Sequence, residues 1–558
     1  MQDFPLFPLA SPPAPLLIKN LLDRVLTWAP QQTIVYRDLR EFTYAEFFQR
    51  LQRLANVLRA LGVKPGDRVG VMDYDSHRYL EFFFAVPMIG AVLHTINFRL
   101  APEQIAYTIN HADDQVLFLH ADFAPVTARL RAELPSVKAC VLLLDETTPP
   151  ESPLEFAGEY EALLAAVVPH FDFPEFDENT VATLFYTTGT TGQPKGVFYT
   201  HRQLVLHSMS AGWTFAAHAD ATSLRQGDVY MPLTPMFHVH AWGVPYVATA
   251  LGLKQVYLGR YEPHLILGLI TRHHVTFSHC VPAILQMLLH HPTSPGTDLN
   301  GWKVLIGGAA LPKGLAREAT ARGIHIVGGY GMSETCPIVA VSFPKPGAPA
   351  EDPEARLEIS TRTGFPTLMV QAAVFDPECR PLPPGPENVG ELVLRAPWLT
   401  TGYFRQPAES EHLWRGGWLH TGDVAYLDND GYIRITDRLK DVIKIGGEWI
   451  SSLELENALS QHPGVKEVAV VGRPDARWEE RPHAEIVLHE AARGTVNARE
   501  LMAFLRGFID RGAIHQRAIL TMIQITETIP RTSVGKLDKK RLRADLQALR
   551  GPVPKAEG

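Results

Sequence analysis

The segment Tyr186-Thr187-Thr188-Gly189-Thr190-Thr191-Gly192-Gln193-Pro194-Lys195-Gly196-Val197 joins two β-prone runs. Thr180-Val181-Ala182-Thr183-Leu184-Phe185-Tyr186 precedes it, and Val197-Phe198-Tyr199-Thr200 follows it in extended character. The reading is therefore strand, loop, strand. Four threonine hydroxyls and three glycines fill the segment. Such a loop offers unhindered N–H and O–H donors to a bulky anion, and Lys195 adds a positive charge suited to phosphate. The order Gly-x-x-Gly-x-x-Lys-Gly and the hairpin context both differ from a Walker loop. The plainer reading is a flexible Thr/Gly loop.

Working outward, short apolar runs alternate with helical patterns. Val69–Met72, Gln115–Leu119 and Cys140–Leu144 read as strands. Helical spacing appears at Leu17, Ile18, Leu21, Leu22, Val25 and Leu26, then at Phe47, Leu51, Leu54, Val57, Leu58 and Leu61, where Gly62 is a stop. Arg78 to Ile89 reads as a third helix. The alternation predicts an α/β fold with a largely parallel sheet to about residue 345. Val370–Phe375 and Val389–Leu394 suggest a small β-subdomain. After the strand Tyr432–Ile435, a boundary near Asp437 divides a large N-terminal domain (1–436) from a small α+β C-terminal domain (437–558).

At 558 residues the chain exceeds one ordinary core. It is 46% hydrophobic and 20% charged, as globular chains are. A net charge of −8 without a basic block argues against nucleic acid as a partner. Cys140, Cys280, Cys336 and Cys379 form no C-x-x-C pair, which suggests free thiols in a reducing compartment, taken as the cytoplasm. No signal peptide is read at Met1–Pro5, and the apolar stretch Phe82–Leu93 is too short to span a bilayer. Peripheral membrane contact stays open.

Further runs carry chemistry. Gly328-Gly329-Tyr330-Gly331-Met332-Ser333-Glu334-Thr335 follows an extended run. Its glycines would let a flat adenine approach the backbone, Tyr330 could stack on it, and Glu334 is a hard oxygen ligand for Mg²⁺. A turn with a capping Ser is the alternative. Thr421-Gly422-Asp423 offers a carboxylate for ribose hydroxyls or an Asx-type turn. Phe237-His238-Val239-His240-Ala241-Trp242-Gly243 reads as a core helical segment or the wall of a pocket. Its His-x-His lacks a third metal ligand at suitable spacing.

Taken in order, these runs closely resemble the motifs of the adenylate-forming superfamily, from about residue 40 to 541. The resemblance is nearest to the medium- and long-chain fatty acyl-CoA synthetases of bacteria. It implies two half-reactions: a carboxylate attacks ATP to give acyl-AMP and pyrophosphate, and coenzyme A then displaces AMP. It implies ATP/AMP contacts from Thr187, Thr188, Gly189, Thr190, Thr191, Gly192, Lys195, Val239, Gly308, Ala309, Gly328 to Ser333, Asp423, Arg438, Lys440, Lys444 and Trp449. Thr187 and Glu334 would hold Mg²⁺. Phe237, His238, Trp242 and Gly243 would line an apolar acyl pocket, with His238 beside the carboxylate.

Asp437 would be the hinge of a mobile C-terminal lid, and Gly446 and Gly447 would face CoA. Lys536, in Pro530–Lys540, would be the catalytic lysine; alone, that run reads as a solvated basic loop. A homodimer is a further expectation. Ser333 stands where some relatives have Thr, and Gly328 where others have a polar side chain. Alternatives are a CoA ligase for aryl or short thioether acids such as methylthiopropionate, and a non-catalytic nucleotide sensor.

Overall fold

The computed structural model describes residues 14–145, 152–187, 193–348, 352–445, 448–475, 477–512, 514–519, 522–532 and 537–548. Among these, a nine-stranded and a seven-stranded sheet, both largely parallel, dominate the N-terminal part. The helix His77–Met88 contacts strands of both sheets and is buried along its whole length. That explains its continuous apolar run Phe82-Phe83-Phe84-Ala85-Val86: it has no solvent face to spend on polar residues.

Its charged residues are paired rather than exposed. Arg78 reaches Asp73 at 3.0 Å and Asp145 at 2.8 Å, and Glu81 meets Arg50 at 2.6 Å. The helix Tyr44–Ala60 packs on this one. It starts with a capping box: Glu46 N–H donates to Thr43 Oγ1, and Thr43 N–H donates to the Glu46 carboxylate. Phe42 and Thr43, just before that helix, end a short strand Arg40–Thr43. Leu17 and Ile18 are buried but precede the first helix, which runs Asn20–Trp28.

The expected β-subdomain is a five-stranded antiparallel sheet. Its last strand, Ile433–Arg438, runs beyond the point where the sequence suggests it stops. Asp437 and Arg438 pair with Val424 and Asp423. Beyond it, a long hairpin of Val465–Asp475 and Glu479–Leu488 takes a parallel strand, Met522–Ile525. Helices Ser452–Leu459 and Ala498–Asp510 cover it around a separate core containing Leu455, Val470, Ile486 and Leu501. No helix among the described residues is long and apolar enough to cross a membrane. Cys140, Cys280 and Cys336 are buried free thiols, and Cys379 is exposed.

Candidate active site

The opening segment does join two antiparallel strands, Val181–Thr187 and Lys195–Thr200, and Thr187 pairs with Lys195 at its mouth. Thr188, Gly189, Thr190, Thr191 and Gly192 lie outside the described residues, as do Gly446, Gly447 and Lys536. The Lys195 ammonium sits 4.7 Å from the centre of the Tyr403 ring. The Tyr403 hydroxyl donates to Glu334 Oε1 at 2.7 Å. Tyr403 thus joins the expected phosphate lysine to the expected metal carboxylate. Phe404 N–H donates to Gly196 O, and Tyr199 O–H to Ser333 O at 2.5 Å, so both arms are tied to the hairpin. Burial and the adjacent Glu334 push the Tyr403 phenol far up, which keeps it a donor.

The strand His325–Gly331 carries Gly328, Gly329, Tyr330 and Gly331, with Met332 and Ser333 following. Two of its glycines have a reason other than adenine. A Cβ on Gly331 would lie 1.8 Å from Pro337 O, and one on Gly328 would lie 2.7 Å from Arg362 O. Tyr330 directs its hydroxyl to Asp423 Oδ2 at 2.6 Å, while Arg438 Nε lies 2.8 Å from Asp423 Oδ1. Each carboxylate oxygen has a second lone pair, so Asp423 keeps capacity for ribose hydroxyls. Gly308 and Ala309 follow the neighbouring strand Lys303–Ile306.

The segment Val239–Gly243 corrects the helical reading. Val239, His240, Ala241, Trp242 and Gly243 all have positive φ, between 47° and 72°, forming a left-handed turn. For non-glycine residues that costs about 1–2 kcal/mol each. Surrounding contacts hold it: Trp242 lies 5.0 Å from the His279 ring, and His240 is wedged edge-on between Phe83 and Phe185. Burial lowers His240 and His279 to about 3, so both are neutral. His238 is half-buried, whereas Phe237 and Val239 are buried.

A cavity of about 540 Å³ opens against this turn, lined by His238, Trp242, Gly308, Thr234, Tyr261 and Arg99, among others. Leu233, Val281, Ala283, Ile284 and Met287 add apolar surface. The wall is less uniformly apolar than expected, and Lys466, Glu467 and Arg531 reach its rim from the C-terminal part. Gly243 does not line the cavity: a Cβ there would sit 2.9 Å from the His207 ring.

At the expected hinge, Asp437 Oδ2 accepts the Ser452 N–H at 2.6 Å, at the start of the helix Ser452–Leu459. Burial raises the Asp437 carboxyl. Lys440 is lowered by burial, and Lys444 is exposed and pairs in register with Trp449. Tyr403, Arg99, Tyr261 and Asp75 escaped the sequence reading. Only Tyr403, an aromatic after Thr400-Thr401-Gly402, carries any local signal.

The fold is similar to that in the crystal structure of the anthranilate CoA ligase AuaEII in complex with anthranoyl-AMP. The TM-score is 0.84 over 96% of this chain and 99% of that one, at 24% identity. The AMP-binding enzyme family model matches residues 22–404, and the AMP-binding enzyme C-terminal domain model matches residues 454–536. The chain belongs to the AMP-binding enzyme family. This AMP-binding enzyme is 40% identical to a long-chain-fatty-acid–CoA ligase of Thermus thermophilus, over 94% of each chain. It is 36% identical to a 3-methylmercaptopropionyl-CoA ligase of Ruegeria pomeroyi, over 95% of this chain and 97% of the relative. It is an AMP-forming acid–thiol ligase that uses ATP, a carboxylic acid and CoA.

Proposed function

We propose that the acid is a medium- to long-chain fatty acid and that it lies in the cavity between Trp242 and Gly308. The observation that carries this reading is that His238, Trp242 and Gly308 share one cavity wall with Val281, Ile284 and Met287. An alkyl chain suits the apolar part, and its carboxylate would sit beside His238. The fatty-acid relative supports the same choice.

In the first half-reaction a carboxylate oxygen attacks the α-phosphorus of ATP, and the bond to pyrophosphate breaks. Lys195 and the threonine loop would hold the phosphates, Asp423 and Arg438 the ribose, and Tyr330 the adenine face. Lys536 would neutralise the charge that develops between carboxylate and phosphate. In the second, the CoA thiolate attacks the acyl carbonyl and AMP leaves. Thr187 and Glu334, a hydroxyl and a carboxylate, are hard oxygen donors that fit Mg²⁺, which would spread phosphate charge when bound. Asp437 would be the pivot on which the C-terminal lid turns, bringing Gly446 and Gly447 to CoA.

A second reading, a short thioether acid such as methylthiopropionate, is favoured by Arg99, Thr234 and Tyr261 in the wall and by the second relative. CoA-dependent pyrophosphate release across acids from acetate to palmitate, with benzoate and methylthiopropionate, separates the two. A maximum among alkyl acids of eight or more carbons, on the order of the fill of such a cavity, supports the first. A maximum at methylthiopropionate overturns it. The proposal includes a homodimer in the cytoplasm; light scattering that gives the 62.0 kDa monomer at micromolar concentration rejects the dimer.

A further inference from the structure

Asp75 is a buried acid without a role in the chemistry above. It follows the strand Arg68–Met72 and precedes Ser76, the cap of the central helix. Its backbone bridges to Gly259, so it sits where the two large sheets meet. Asp75 is only 2% exposed. Its Oδ1 accepts the Met236 N–H at 2.8 Å, and its Oδ2 accepts the Tyr261 O–H at 2.7 Å. Met236 immediately precedes Phe237 and His238, and Tyr261 lines the cavity.

A second anchor grips the same loop from the adjacent parallel strand Val92–Thr95: Thr95 Oγ1 donates to Phe237 O at 2.8 Å. The guanidinium of Arg99 stands 5.7 Å from the ring centres of both Phe237 and Tyr261. The carboxylate therefore ties the backbone under His238 to the aromatic and cationic wall opposite.

We propose that Asp75 is a positioning residue for the acid: it sets the distance between His238 and the Tyr261–Arg99 wall, and so the fit of the substrate. This rests on the assignment of the cavity to the acid. A carboxylate is suited because it alone accepts from both donors at once. Desolvation raises Asp75 to about 7. The groups facing it are Arg99, Asp73, Tyr261, Tyr79, Tyr230 and Tyr257. Asp73 is paired with Arg78, and burial pushes all four phenols far up, so none of the phenols titrates near neutrality. Below about pH 7 the Asp75 proton must occupy one oxygen, and one of the two anchors weakens.

The test compares full-length wild type, Asp75→Ala and Asp75→Asn. Hydrogen exchange at the Met236 amide is read without substrate, and KM for the acid and for ATP is read between pH 6 and 8. Asp75→Ala removes both hydrogen bonds to the carboxylate and is expected to speed Met236 exchange and raise KM for the acid about tenfold or more, while KM for ATP moves less than twofold. Asp75→Asn has a single acceptor oxygen, as protonated Asp75 has, so its KM for the acid should match that of wild type near pH 6 and exceed it near pH 8. Wild-type KM for the acid should rise as pH falls through about 7, and Asp75→Asn should be flat.

Unchanged exchange in Asp75→Ala, equal changes in both KM values, or the same pH profile in Asp75→Asn overturns the proposal. Wild type that turns over no acid contradicts the cavity assignment instead, and the exchange result still decides the anchor.

Discussion

Asp423 and Arg438 face each other in register on neighbouring strands, carboxylate to guanidinium at 2.8 Å, with the Tyr330 hydroxyl on the second carboxylate oxygen. Three motifs, from Tyr330 to Arg438, thus converge on one acid, the expected ribose ligand. Replacing Asp423 with Ala removes the shared acceptor. KM for ATP is expected to rise about 10–100-fold, the equivalent of about 1.5–3 kcal/mol for a charged hydrogen bond. KM for the acid should stay within a few-fold in the same assay. Equal rises in both would remove Asp423 from the nucleotide site.

Tyr403 joins Lys195 to Glu334. Tyr403→Phe keeps the ring beneath the lysine and deletes the bond to the carboxylate. Adenylate formation should then need more Mg²⁺ and slow by about tenfold. A Mg²⁺ titration of pyrophosphate release checks this. An unchanged Mg²⁺ dependence would show that the hydroxyl only supports the fold.

The left-handed turn at Val239–Gly243 makes two substitutions separable. Gly243→Ala meets the His207 ring at 2.9 Å and should lower Tm without changing acid preference. Trp242→Ala empties part of the cavity wall and should shift the preference toward longer or bulkier acids, as well as cost about 3–5 kcal/mol of stability. Chain-length profiles of both variants, set against their thermal unfolding, test the distinction.

Much of this was legible in the chain and some was not. The hairpin around Thr187 and Lys195 and the order of motifs are local, so sequence carries them. The helix Tyr44–Ala60 follows from its periodicity and its Thr43–Glu46 cap. The left-handed turn was not legible, because Val, His, Ala and Trp are poor candidates for positive φ and contacts made elsewhere impose it. Strand pairing likewise carries Thr436, Asp437 and Arg438 past the expected end, although Asp is a poor β-former. Asp75 and Met236 are 161 residues apart, and no periodicity links them.

Stability should fall as pH drops below neutral. His201, His207, His240 and His279 are held at about 3–4 by burial, against 6.5 when exposed. The unfolded chain protonates first, so each contributes stability that is present above about 6.5 and lost as pH falls toward 3–4. Asp75, raised to about 7, acts oppositely, as do Asp114, Asp437, Glu454, Glu456 and Glu485, all raised by burial, but burial also lowers His77, His111, His273, His325, His483 and His489. Thermal unfolding at pH 7.5, 6 and 5 should show Tm decreasing. A Tm that rises toward pH 5 would contradict the burial of these rings.

The most direct test separates the two half-reactions in Lys536→Ala. Pyrophosphate release from ATP and a fatty acid measures the first, and acyl-CoA formation from synthetic acyl-AMP and CoA measures the second. A loss of at least about a thousandfold in the first half, typical of removing preorganised charge stabilisation, with the second within a few-fold of wild type, is the predicted result. Equal loss in both halves, or none in the first, would contradict the account.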